Sequence, residues 1–300
     1  MISMRDNFLS DFSVKVENLA KNKDKQPFKE IKNNNDKKKA VLKFLSQIGV
    51  DTRFISYFND KIFINNLRFS KFSRKKEEIF NHRYPKIFVI RSSLFQKIAS
   101  KSSKSLSSVI KVKDNILIHW NIENELCKAI LFYKTILSYI LLEPYTRKYG
   151  IKIITNVDLN NKKESNFKTL CVMDLNNQVE KEIEDIFKGK GIISKINEKN
   201  EIYPLKFIDK RLIEDFVDEF VDEKLLRYFI NKFNKNYINI NINNNQNFNE
   251  LEHNKGNINK KCKGEEIKNI SKNFMEFLEE INPQFKENIL KSVEYLSKNN

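Results

Sequence analysis

Residues 131–155 read LFYKTILSYILLEPYTRKYGIKIIT. The apolar run that reaches from Ala129 to Leu142 carries Lys134 and meets Glu143-Pro144. It falls short of the roughly 20 apolar residues a bilayer requires, so it reads as a core helix. Gly150 supplies the left-handed stop for that helix, and IKIIT (151–155) follows as a strand.

The same alternation extends in both directions. KIFVI (86–90) reads as a buried strand, with short strands at SVIKV (108–112) and NILIHW (115–120) before a helix over 121–149. Downstream, KTLCVM (168–173) reads as a strand and 177–188 as a helix with Val179, Ile183, Ile186 and Phe187 on one face. Another helix starts near Lys210, its apolar face formed by Leu212, Phe216 and Phe220. Alternating helix and strand from 86 to 222 predicts an α/β fold, a three-layer Rossmann-like arrangement around a mainly parallel sheet.

The flanks differ in character. Residues 1–36 are polar and read as a partly disordered segment ahead of an α/β domain over 37–234, which opens with a helix at 37–48 ending on Gly49. Residues 235–264 are Asn-rich and of low complexity, an inserted loop. Residues 265–300 form a helical hairpin broken at Asn282-Pro283 and packing on the domain. One stripe is Ile267, Ile270, Phe274, Phe277, Leu278 and Ile281; the other is Phe285, Ile289, Val293 and Leu296.

The chain has 300 residues and a formal charge of +16, which points to a polyanionic partner, nucleic acid foremost. Of its 55 basic residues 46 are Lys, beside Asn-rich tracts, a bias that an AT-rich coding sequence also produces. The first 40 residues have no apolar core of a secretory signal, and the three cysteines, Cys127, Cys171 and Cys262, are scattered. Both features predict a reducing, cytoplasmic setting with no membrane contact, no metal centre and no cofactor.

Among candidate sites, the turn Gly189-Lys190-Gly191 holds two of the chain's six glycines. Phosphate is held by backbone amides at a helix N-terminus, whereas this turn follows a helix C-terminus. A C-terminal cap at Gly189 is the favoured reading, with Lys188 and Lys190 left to face an RNA phosphate. Arg68, Lys71, Arg74, Lys75 and Lys76 are interleaved with Phe69, Phe72 and Phe80. They fit an RNA-binding surface, and equally an amphipathic helix with its Phe residues in the core and a solvated basic face. The carboxylates of EKEIEDIF and IEDFVDEFVDE read as solvated helix faces, and His82 and His119 as isolated structural residues.

Taken in order, YTRKYGIKIIT, MDLNNQVEKEIEDIF, KGKG and YPLKFIDKRLIEDF resemble the back half of the PP-loop ATPases, the tRNA-modifying branch of the adenine-nucleotide α-hydrolases. The tail, EEIKNISKNFMEFLEEINPQFKENILKSVEYL, is similar to the closing segment of the non-catalytic second subunits of cytoplasmic tRNA 2-thiolation complexes. The family-motif positions are Asp174, Asn176, Asn177, Gly189 and Gly191. The resemblance covers about half of the chain, and there are departures. The SGGxxS loop is missing; its counterpart is the degenerate loop Arg91-Ser92-Ser93, whose side chains crowd the approach of backbone amides to pyrophosphate. Asn176-Asn177 stand where active members have paired aspartates, and Lys291-Ser292 where Arg-Thr is usual.

The resemblance therefore implies a subunit with no catalytic residues that supports thiolation of the wobble uridine, U34. Its implied partners are tRNA and a cysteine-bearing catalytic PP-loop subunit, in a heterodimer, with a ubiquitin-like sulfur carrier acting indirectly. Two other readings stand beside it: an active PP-loop tRNA-modifying ATPase with a diverged loop, and a lineage-specific basic RNA-binding or scaffold protein.

Overall fold

The computed structural model describes residues 30–58, 60–118, 127–155, 167–189, 200–234 and 258–299. Helix α1 (Glu30–Gln47) is closed by Gly49 at φ +77°. A 3-10 turn (Thr52–Phe54) leads into the hairpin β1 (Ile55–Phe58) and β2 (Lys61–Ile64). Helices α2 (Leu67–Ser70) and α3 (Arg74–Arg83) return the chain to β3 (Phe88–Ile90), which pairs parallel to β2. Then come α4 (Ser93–Leu106), β4 (Asn115–Ile118), α5 (Cys127–Lys148), β5 (Lys152–Thr155), β6 (Phe167–Leu170), α6 (Leu175–Phe187) and β7 (Glu201–Ile202). Helices α7 (Lys210–Phe220), α8 (Glu223–Asn234), α9 (Ile258–Ile281) and α10 (Phe285–Asn299) complete the description.

Two sheets result, one ordered β1-β2-β3 and one ordered β5-β4-β6-β7. All pairings in the second are parallel, with Ile116 of β4 opposite Ile153 on one side and Lys168 on the other. A parallel sheet flanked by helices is the α/β class expected from the alternation. The chain leaves β4 toward β5 and then crosses to β6 on the other side. The strand order thus reverses at β4/β6, and a crevice forms at the carboxyl ends of strands where this happens.

The sequence expectation is corrected at both early strands. KIFVI is not a buried strand of the parallel sheet; β3 edges the other sheet, with Phe88 60% exposed. SVIKV forms no strand. The amides of Val109 and Ile110 both turn back to the Leu106 carbonyl at the end of α4, so no strand ladder can use them.

The hairpin β1–β2, unforeseen in the sequence, is apolar on both faces. Ile55, Tyr57, Ile62 and Ile64 pack with Val41, Leu45, Phe72 and Phe80. Phe58 and Phe63 point the other way, into the main core with Phe95, Ile98, Ile140 and Phe216. Period-two alternation thus serves two cores instead of one core and solvent. Helix α5 runs through Pro144, which has no N–H for the Ile140 carbonyl one turn earlier. The hydroxyl of Ser56 in β1 donates to that carbonyl at 2.7 Å.

The terminal helices pack on α6 through Met275, Phe285 and Leu290, against Leu175, Val179 and Ile183. The face of α9 differs from the expected stripe. Ile270, Phe274, Phe277 and Ile281 are exposed, while Ser271 and Met275 are buried. The buried Ser271 hydroxyl donates to the Ile267 carbonyl one turn earlier in α9 at 2.8 Å. Ile186 and Phe187 also lie exposed at the end of α6, with Phe187 edge-on to Phe274. On α10, Phe285 and Val293 are buried, Ile289 half-buried and Leu296 exposed. Among the described residues no helix is long and apolar enough to cross a membrane.

Candidate functional site

β6 ends at Leu170, and four residues later Asp174 caps the N-terminus of α6. Its extended backbone frees the carboxylate, which accepts from the Asn177 amide at 2.8 Å. The other carboxylate oxygen pairs with the Lys134 ammonium, also at 2.8 Å, and the same ammonium donates to the Asn177 side-chain oxygen at 2.7 Å. Asp174 is 1% exposed and Lys134 6%. Lys134 comes from α5, the helix that follows β4. The β4/β6 switch point is therefore bridged from both sides by one buried ion pair.

This arrangement dictates its own chemistry. The positive end of the α6 dipole and its first free amides would ordinarily receive an anion. Here the Asp174 carboxylate already occupies them, so an incoming phosphate meets negative charge at the position that should attract it. Removing either partner would leave a buried charge alone, which is far costlier than the pair itself.

Asn176 does separate work. With its amide nitrogen toward Asp209 (3.3 Å), its oxygen accepts from Lys286 at 3.1 Å. Lys286, buried on α10, also pairs with Glu279 of α9 at 2.9 Å. Asn176 and Asn177 thus split their roles. Asn177 helps bridge the switch point, and Asn176 ties α6 and α7 to the terminal hairpin.

Arg91, Ser92 and Ser93 lie elsewhere, between β3 and α4, on the first sheet. Arg91 pairs with Glu77, donates to the Phe72 carbonyl at 2.5 Å and lies over the Phe72 ring. Ser92 is the N-cap of α4, accepting from the Phe95 amide at 3.3 Å, and Ser93 is exposed in its first turn. The loop serves as a helix cap anchored by a half-buried guanidinium. It does not meet Asp174, Asn176 or Asn177 in a common sheet.

Gly189 adopts φ +72°, and its amide donates to the Ile186 carbonyl, the left-handed cap expected of it. Lys188 pairs with Glu184 at 2.7 Å. Lys190 and Gly191 lie outside the described residues, as do His119, Trp120 and the residues up to 126 that follow β4.

The basic stretch divides over two short helices. Lys71 at φ +53° ends α2 and Ser73 caps α3, so no single amphipathic helix runs through it. Phe72 and Phe80 are buried as one reading expects, but Phe69, on the earlier helix, is 53% exposed. Arg68, Lys71 and Lys75 are exposed and make no ion pair among the described residues. Arg74 lies 3.6 Å from Glu77. Lys76 departs from the expectation of a free surface cation, because its ammonium is held by the carbonyls of Gly49 (2.6 Å) and Lys71 (2.9 Å).

Sequence reasoning overlooked Lys134 as a site residue. A lone lysine in an apolar helical run was a signal of it, since burial forces such a group to find a carboxylate. Among the described residues, no group of three His, Cys, Asp or Glu side chains could hold a metal.

No protein-family model matches the sequence. The comparison with curated proteins finds no match either. Among solved structures, the chain is similar to the U34-tRNA thiolase NcsA from Methanococcus maripaludis, a structure with its 4Fe–4S cluster. The identity is 12%, the match covers 71% of this chain and 83% of that chain, and the TM-score is 0.37.

Proposed function

We propose that this protein is a non-catalytic subunit of a tRNA 2-thiolation complex, similar to cytoplasmic tRNA 2-thiolation protein 2, acting in the cytoplasm on the wobble uridine. It would bind tRNA and pair as a heterodimer with a cysteine-bearing PP-loop subunit. That partner would carry out adenylation and receive sulfur from a ubiquitin-like carrier.

The carrying observation is the bridged switch point. The motif order of the sequence lies on consecutive elements: β6, the Asp174 cap, α6, the Gly189 turn, β7 and α7. At the crevice of that sheet stands a self-satisfied Lys134–Asp174–Asn177 cluster in place of an acidic pair. Such a cluster suits a chain that keeps the family's frame and leaves the chemistry to a partner. The exposed cations Arg68, Lys71, Arg74 and Lys75 supply salt-dependent attraction for phosphates.

The test is the 2-thiouridine content of cytoplasmic tRNA after depletion of the protein, read by nucleoside mass spectrometry. Loss of the thio group, with the uridine's other side-chain modification retained, is the expected result. Unchanged thiolation, with no PP-loop protein co-purifying, overturns the reading.

A further inference from the structure

Phe69 of α2 presents a ring that core packing does not use, and behind it Phe54, Tyr149 and the buried Tyr145 lead back into the main core. Phe69 is 53% exposed, and its far edge packs on Phe54 at 5.3 Å between centroids, the planes 32° apart. The Lys148 ammonium lies 5.9 Å from the Phe54 centroid, 5.1 Å from that of Tyr149 and 5.7 Å from that of Tyr145. Tyr145 and Tyr149 are themselves stacked at 5.8 Å. Asn66 holds the Phe69 amide at 2.9 Å, so the exposed ring stands on a fixed backbone.

The exposed charges that flank the Phe69 ring are cations. Arg68 and Lys71 flank Phe69, both exposed, and Lys71 lies near enough to Asp51 for the two charges to interact. The Asp51 carboxylate is bonded by the Arg53 guanidinium, which, with Lys71 nearby, holds its carboxyl below the usual range. Lys113, at φ +63°, donates its backbone amide to the Tyr149 carbonyl. Cations beside an exposed aromatic face suit a ligand with flat rings spaced along an anionic backbone. A duplex hides those ring faces, and a protein interface has few lysines at its centre.

We propose that this surface binds single-stranded RNA, with Phe69 stacking on an unpaired base and Arg68 and Lys71 contacting the flanking phosphates. The proposal rests on the RNA-binding part of the function above and names its site. The probes are fluorescein-labelled octa-uridine and a 16-base-pair RNA duplex, titrated with the full chain and followed by anisotropy at several salt concentrations. Phe69→Leu keeps the packing on Phe54 and deletes the π-face. It should weaken octa-uridine binding about fivefold or more and leave duplex binding within about twofold, while Phe69→Tyr stays near the wild type. Arg68→Gln should reduce the single-strand salt slope by about 0.7, one phosphate contact. If Phe69→Leu binds octa-uridine as the wild type does, the site falls and the thiolation reading stands. If the wild type binds neither RNA, its tRNA-binding role falls as well.

Discussion

Lys134 and Asp174 form a buried ion pair between α5 and the N-terminus of α6. Each is buried, each has one opposite charge in contact, and Asn177 completes the set with a backbone amide and a side-chain oxygen. Lys134→Met should cost about 3–5 kcal/mol, because it leaves the buried Asp174 carboxyl without its counter-ion. Adding Asp174→Asn to that variant should recover most of the loss, since asparagine removes the charge and still caps a helix. Urea denaturation of the two variants and the wild type measures both steps. A recovery of less than half would mean that the pair does more than satisfy itself.

At the scale of elements, the most informative junction joins β1 to the middle of α5. Pro144 frees the Ile140 carbonyl, and Ser56 takes it up from a strand more than 80 residues earlier. Ser56→Ala should cost about 1–3 kcal/mol, the price of an unsatisfied buried carbonyl. In a Pro144→Ala background the same change should cost much less, because an alanine amide can reach Ile140 itself. A double-mutant cycle by thermal or chemical unfolding gives the coupling. Additivity within about 0.5 kcal/mol would show that the carbonyl finds water instead.

Across the whole molecule, α1, the first sheet and α5 meet at Glu143. Burial pushes the Glu143 carboxyl upward, but bonds from Arg147 and the nearby Lys38 ammonium overcome this and hold it below its usual value of 4.5. Arg147 also donates to the carbonyls of Thr52 (3.0 Å) and Ile55 (2.5 Å). A carboxyl depressed in the folded state contributes stability above its unfolded pKa and loses it as pH falls through the folded value. The stability difference between wild type and Glu143→Gln should therefore be greatest above about pH 5 and shrink below about pH 4.5. Unfolding curves across pH 3 to 7 check this, and a difference independent of pH would refute it.

The sequence by itself determined what depends on neighbours along the chain. Gly49, Gly150 and Gly189 mark helix ends because a left-handed residue there is a local requirement, and all three have positive φ. The strands at IKIIT and NILIHW, the long helix between them and the face of α7 are legible for the same reason: their periodicity is read within one element. What the tertiary structure alone decided is which face meets what. KIFVI has a strand's composition, yet only its pairing with a hairpin made it an edge strand of another sheet. The apolar stripe of α9 is legible in the sequence, but the hairpin packs on α6 through Met275 and Leu278 and leaves Ile270, Phe274, Phe277 and Ile281 exposed. The bridged switch point follows the same rule. Lys134 and Asp174 lie 40 residues apart, and local patterning carries no information about a contact that exists only once β4 and β6 lie side by side.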